Sequence, residues 1–322
     1  MRYSVIDIGT NTMLLLIAEY DKNTKTVKTI LDIQRVPRLG KGVDSSRNIT
    51  TESVKKAVDV LNEYKKISAE YRSEKILATA TSFIRDAKNK AEFLETIKKE
   101  TGIDIEILSG DDEAKLTFIG AVHDKLNQDS AKGRITTIDI GGGSTEITSG
   151  DISAGNTSVG AFERTPMKIP IKGKSLDVGS VRLNEKYLKN HPPAYENLFE
   201  SEEFVKGFLQ YIDFDIKDSA LIGVAGTVTT MAAIKLGLSS FDASKVDGTT
   251  LSLNEIEAIF TRLAAMPIEE LYALGNFMEG RADIIIPGIL ILQTFMERFG
   301  FDKITVSTKG LRYGTFIREI LK

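Results

Sequence analysis

The 322-residue chain has no cysteine and only two histidines, His123 and His191. The first absence excludes disulfides and thiolate metal sites and fits a reducing compartment. The two histidines are far apart and make no metal-ligand spacing, so they read as a helix residue and a loop residue. Charge of one sign is missing too: 42 Lys+Arg against 45 Asp+Glu leave a net −3. That excludes a global basic field for a nucleic-acid polymer or an anionic membrane, and a polyanionic substrate would need a local basic site. The apolar run at residues 13–18 is too short to span a bilayer, and no signal-peptide layout surrounds it. A cytoplasmic location is the expectation.

What is present is ordinary for a globular protein, with 42% hydrophobic and 27% charged residues. The length favours two domains. Short apolar segments at 4–8, 14–20 and 26–33 read as a strand meander. Residues 51–71 repeat apolar side chains at three- and four-residue steps, a helix. A strand at 75–79, a helix at 90–100, a strand at 103–108 and a helix at 111–126 follow. The pattern then restarts: strands at 134–140 and 144–149 with a turn at 150–151, helices around 176–188 and 202–211, a strand at 219–224 and a helix at 227–235. Helices at 253–264 and 284–299, a strand at 303–306 and a helix at 311–321 complete it. Each half opens on a strand–glycine turn–strand unit, DIGTNT at 7–12 and DIGGGSTE at 139–146. Such a duplication predicts two related α/β domains facing each other across a cleft, with largely parallel sheets and helices on both faces. The expected division is 1–125 and 126–322, with the last helix, about 310–322, free to pack back on the first domain.

A glycine turn after a strand lets backbone N–H groups converge on an anion without Cβ interference. Gly9, Thr10, Asn11 and Thr12 form one such turn; Gly141, Gly142, Gly143, Ser144 and Thr145 form the other. A single copy would read as a tight hairpin. Two copies, each with an acid two residues before its first glycine (Asp7 and Asp139), favour a polyphosphate held from two sides. GVAGTVTT at 223–230 puts Gly226 and Thr227 at a helix start, which serves equally as an anion site or an ordinary N-cap. SGDDEA at 109–114 opens another helix; its acids either complement the helix dipole or project a carboxylate into the cleft. Arg35, Arg38, Lys41 and Arg85 are loop cations that read as solvated charge or as phosphate contacts. The first three would reach the part of the ligand distal to the phosphate held at the turns.

These blocks, with RVPRLGKG (35–42), TATSFIRDAKN (79–89), ILSGDDEAKLTFIG (107–120), VGSVRLNE (178–185), RADIIIPG (281–288) and STKGLRYG (307–314), resemble the exopolyphosphatase/guanosine-pentaphosphate phosphatase (Ppx/GppA) family along nearly the whole chain. The resemblance implies two ribonuclease H-like domains of the actin-like ATPase and sugar-kinase superfamily flanking a cleft. It implies Glu113 as the catalytic glutamate with Asp112 next, Glu146 as a second essential acid, and Arg85 as a phosphate-binding arginine. Asp7, Asp139 and Glu146 are the expected Mg²⁺ ligands, and the glycine turns the phosphate loops. Where the family often carries an all-glutamate run, this chain has Asp-Asp-Glu, leaving Glu113 the only full-length carboxylate there. Thr308 and Tyr313 stand where acids are common. The chain stops soon after STKGLRYG, so short substrates are expected. The implied activity is Mg²⁺-dependent hydrolysis of polyphosphate; pppGpp 5′-phosphohydrolysis, a catalytically weak alarmone-binding regulator and a kinase of the wider superfamily are the alternatives. A homodimer is left open.

Overall fold

The computed structural model describes residues 1–24, 26–126, 133–152 and 170–322. Two mixed sheets carry the fold. In the first, β1 (Arg2–Ile8), β2 (Met13–Asp21) and β3 (Thr26–Arg35) form an antiparallel meander, and β4 (Lys75–Ala80) and β5 (Ile105–Ile107) extend it in parallel beyond β1, giving the order β3-β2-β1-β4-β5. The second repeats this plan. There, β6 (Arg134–Ile140), β7 (Thr145–Asp151) and β8 (Ile171–Leu176) make the meander, β9 (Ala220–Val224) and β11 (Lys303–Val306) run parallel, and β10 (Thr250–Ser252) is added at the edge, giving β10-β11-β9-β6-β7-β8. The duplication legible in the sequence is therefore a duplication of topology.

Several features differ from expectation: the sheets are mixed and not largely parallel, and the helix expected at 202–211 spans Tyr195–Leu209. Gly150 and Asp151 lie inside β7, paired with β6, and are not a turn. Residues 171–176 form a strand where helix was expected from 176; the helix begins at Ser180. Helix Gly110–Leu126 packs on β6, β7 and β8, and helix Leu311–Ile320 returns to β1 and β2, so each half lends a helix to the other. Phe118, Ala121 and Val122 are buried with Ile135 and Ile222, whereas Tyr313 and Phe316 are buried with Val5, Leu16 and Tyr20. A division near residue 125 stays a proposal about chain order; by packing, Gly110–Leu126 lies with the second sheet. No described helix is long and apolar enough to cross a membrane.

The two exchanged helices touch backbone to backbone. A Cβ on Gly120 would lie 2.1 Å from the Gly310 carbonyl oxygen, and one on Gly314 would lie 1.8 Å from that of Leu116. Neither obstacle is a flexible side-chain end, so both helices would have to separate. Gly314→Ala is expected to cost about 3 kcal/mol, at the upper end of the usual range for overpacking. Chemical denaturation measures it; an unchanged midpoint would mean that the helices do not meet in solution.

Candidate active site

The two glycine turns are built alike. Gly9 N donates to Thr12 O and Gly141 N to Ser144 O, each at 3.0 Å. They face each other across the cleft and are in contact. A Cβ on Gly142 would lie 3.0 Å from the Thr10 Cβ, and one on Gly143 would lie 2.5 Å from the Ser82 hydroxyl. The run of three glycines thus lets the second domain's turn close onto the first domain. Behind the turn, Ser180 N donates to Gly141 O at 2.9 Å and Val181 N to Gly142 O at 2.9 Å. The start of the Ser180–Lys186 helix thereby satisfies the turn's carbonyls.

A cavity of about 390 Å³ lies between the domains, a size usual for small-molecule sites. Asp7, Gly9, Thr10, Asn11, Thr12, Glu113, Asp139, Gly141, Gly142, Ser144, Gly226 and Thr227 line it, so most of the residues expected at the site meet there. Gly143, Thr145, Glu146 and Arg85 are not among its lining residues, but Glu146 pairs across strands with the lining Asp139 and Arg85 bonds to the lining Glu113. Thr145 donates its hydroxyl to Val178 O at 2.6 Å, a buried structural bond. Gly226 leaves room for a guanidinium, since a Cβ there would fall 1.3 Å from Arg281 Nη1. The loop cations are not brought to the cavity. Arg35 pairs with Glu63 at 2.5 Å on an exposed face, Arg38 pairs with Asp283, and Lys41 is exposed.

Helix capping separates the candidate bases. Ser109 Oγ accepts from Asp112 N at 3.1 Å and donates to the Asp112 carboxylate at 2.6 Å, so Asp112 serves the helix end and stays exposed. Glu113 turns inward and is 7% exposed. Arg85 donates to it at 3.2 Å and to Leu108 O at 3.1 Å.

Asp139 and Glu146 are directly opposed in the β6–β7 register, whereas the first repeat places Leu14 opposite Asp7. Cross-strand partners on one face bring their side chains together. Glu146 is 2% exposed and accepts from Ser175 Oγ at 2.6 Å. Burial, reinforced by neighbouring carboxylates, raises the proton affinity of all four acids. Asp139 is pushed up to about 7, first by burial and then by Asp7. Glu146 is pushed up to about 7 by burial and by Asp139, against the Ser175 hydrogen bond. Asp7 rises to about 6 through burial and Glu146, with Arg312 opposing. Glu113 lies well above its ordinary value because of burial and Glu146, with Arg85 opposing.

Two cations that line the cavity had no assigned role in the sequence reading. Arg281 donates to Gln34 Oε1 at 2.9 Å, and burial, then Arg312, lowers it to about 10. Arg312 forms an ion pair with Asp32. RADIIIPG and STKGLRYG were the available signals, but nothing in either run reveals which partner its arginine meets.

A model described as the Ppx/GppA phosphatase family matches residues 16–322. The chain belongs to that family. It is 32% identical over 98% of its length to a bifunctional 3-dehydroquinate synthase/phosphatase of Fusobacterium nucleatum, of which it spans about half (46%). It is 28% identical to exopolyphosphatase 2 of Mycobacterium tuberculosis, covering 97% of each chain. It is also 27% identical over 97% of its length to a guanosine-5′-triphosphate,3′-diphosphate pyrophosphatase of Vibrio atlanticus, spanning 58% of that protein. Among solved structures, the Aquifex aeolicus Ppx/GppA family member superposes with a TM-score of 0.79 at 31% identity, covering 100% of this chain and 98% of the other.

The raised carboxylates of this Ppx/GppA member predict a pH dependence of stability. In the folded state they hold protons that the unfolded chain releases near pH 4, so their contribution is present below that value and is lost as pH rises towards 7. In EDTA, Tm is expected to fall by on the order of 5 °C between pH 5 and pH 8. Glu146→Gln should flatten that fall. An equal or steeper fall in the variant would mean that the cluster is not buried together.

Proposed function

We propose that the chain hydrolyses the terminal phosphoanhydride bond of inorganic polyphosphate and releases orthophosphate. The observation that carries this reading is the buried Glu113 carboxylate, which opens onto the same cavity as both glycine turns. The turns at 9–12 and 141–144 would bind the terminal phosphate through N–H and hydroxyl groups. The water oxygen attacks the terminal phosphorus while the bridging P–O bond breaks. The chain leaves one unit shorter as its anion, and the water proton passes to the Glu113 carboxylate. A carboxylate whose proton affinity is raised by burial suits that transfer, worth roughly 10²–10⁴-fold. Arg85 fixes the carboxylate, and Glu146 raises its basicity.

Mg²⁺ is the proposed cofactor. Asp7 Oδ1 is buried without a hydrogen-bond partner, and the neighbouring acids repel one another, as hard oxygen donors awaiting a cation would. Among the described residues no three His, Asp or Glu side chains form a cage. That suits an ion held through one or two carboxylates, water and phosphate oxygens. Asp7 and Asp139, with Glu146 behind them, would hold it; when bound it supplies charge neutralisation at the phosphates.

One observation favours a second reading, pppGpp 5′-phosphohydrolysis. Ile33, Phe241, Phe277, Ile284 and Ile285 also line the cavity, apolar surface suited to a purine and foreign to a bare phosphate chain. Phosphate release from polyphosphates of graded length and from pppGpp, with Mg²⁺, decides between the two. A cavity of about 390 Å³ accepts only a few phosphates. Affinity is therefore expected to saturate at short chains, with distributive release. Processive loss of long chains without intermediates would oppose the proposal.

A further inference from the structure

The segments 34–38 and 280–283 come from different domains and meet at one side of the cavity. Arg281 reaches Gln34, and Val36 fits against Gly280 so closely that a Cβ on that glycine would lie 2.3 Å from it. The contact ends on Arg38, whose guanidinium donates in parallel to both Asp283 oxygens at 2.7 and 2.8 Å. Parallel charge-assisted bonds of this kind are strong and orientation-specific. They also occupy the face of Arg38 that a phosphate would need.

Arg38 is mechanically tied to the first glycine turn. Its N–H donates to Asn11 O at 3.0 Å, and Gly40 N donates to Thr10 O at 2.8 Å. Asn11 in turn donates its side-chain amide to Gly280 O at 2.9 Å. Arg38 holds φ at 55°, a left-handed backbone costly for a residue with a Cβ and maintained only where the surroundings impose it. Thr10 and Asn11 line the cavity; Arg38 and Asp283 are not among its lining residues.

We propose that Arg38 and Asp283 are positioning residues: their ion pair clasps the domains shut and, through the backbone of the first glycine turn, sets Thr10 and Asn11 against the terminal phosphate. This replaces the sequence-based expectation that Arg38 contacts the distal part of the ligand. The kinetic side of the proposal rests on the hydrolase reading; the closure side does not.

Charge exchange tests it. Arg38→Asp and Asp283→Arg are prepared singly and together, with Asp283→Asn as a conservative variant, and circular dichroism confirms folding. Each single variant is expected to enlarge the radius of gyration of the substrate-free protein in X-ray scattering. With tripolyphosphate, each should lower kcat roughly tenfold while moving KM less. The double variant should regain most of both. If Arg38 instead contacts substrate, Asp283→Asn leaves kcat and the radius of gyration unchanged and the exchange rescues nothing; either result overturns the clasp. If a charge-reversed variant does not fold, Asp283→Asn against the native protein still decides. Should the native protein release no phosphate, the hydrolase reading fails, and the scattering comparison alone judges the clasp.

Discussion

Glu113→Gln is expected to lower kcat by roughly 10²–10⁴-fold with substrate affinity nearly intact. The amide can still accept from Arg85, so the local packing is kept and only the proton acceptor is lost. A base acts on the water and not on the ground-state phosphate, which is why binding should survive. Steady-state phosphate release and calorimetric binding of tripolyphosphate separate the two effects. Asp112→Asn should be mild by comparison, because that side chain is exposed and bonded to Ser109 at the helix start. Near-native turnover of Glu113→Gln would move the base elsewhere, to Asp112 first.

Asp139→Asn is expected to act in opposite directions on activity and stability. Asp139 sits among Asp7, Glu113 and Glu146, and burial with like charge makes its ionised form costly. Removing that charge should raise the Tm of the EDTA-treated protein at pH 8 by a few degrees, on the scale of about 1 kcal/mol. The same change removes a hard oxygen donor, so the Mg²⁺ concentration for half-maximal phosphate release should rise at least about tenfold. Activity measured across a Mg²⁺ titration, beside thermal unfolding, reads both. An unchanged titration would assign Asp139 to the fold and remove it from cation binding. Asp7→Asn should follow the same pattern, since its carboxylate lies in the same cluster.

The parts of the site that could be read from the sequence are those whose chemistry is local. A strand running into glycine announces its turn, because only glycine tolerates the close approach that Gly142 and Gly143 make to Thr10 and Ser82. Glu113 stood out by its length beside two aspartates. Its inward orientation, however, depends on Ser109 capping through Asp112. Strand β8 is not legible in the sequence because IKGKSL lies at the sheet edge with only weak apolar alternation. Gly150 resembled a turn residue, but it pairs with Ile135 of β6 and Ile171 of β8, and the β6 pairing continues to Asp151, which holds β7 extended. The pairing of Asp139 with Glu146 is a matter of register. Arg281 and Arg312 reach the cavity by tertiary packing, from segments far along the chain from either glycine turn. The loop cations show the converse error: Arg35 and Arg38 lay near the right motifs, but each met a carboxylate, Glu63 and Asp283, before it met the cavity.

The central claim is attack by water, activated at Glu113, on the terminal phosphorus. Hydrolysis of tripolyphosphate in ¹⁸O-labelled water with Mg²⁺ tests it most directly, read by mass spectrometry of both products. One labelled oxygen is expected in each orthophosphate released, and none in the pyrophosphate left behind. Label in the pyrophosphate, or phosphate transferred to an added acceptor without label, would contradict it.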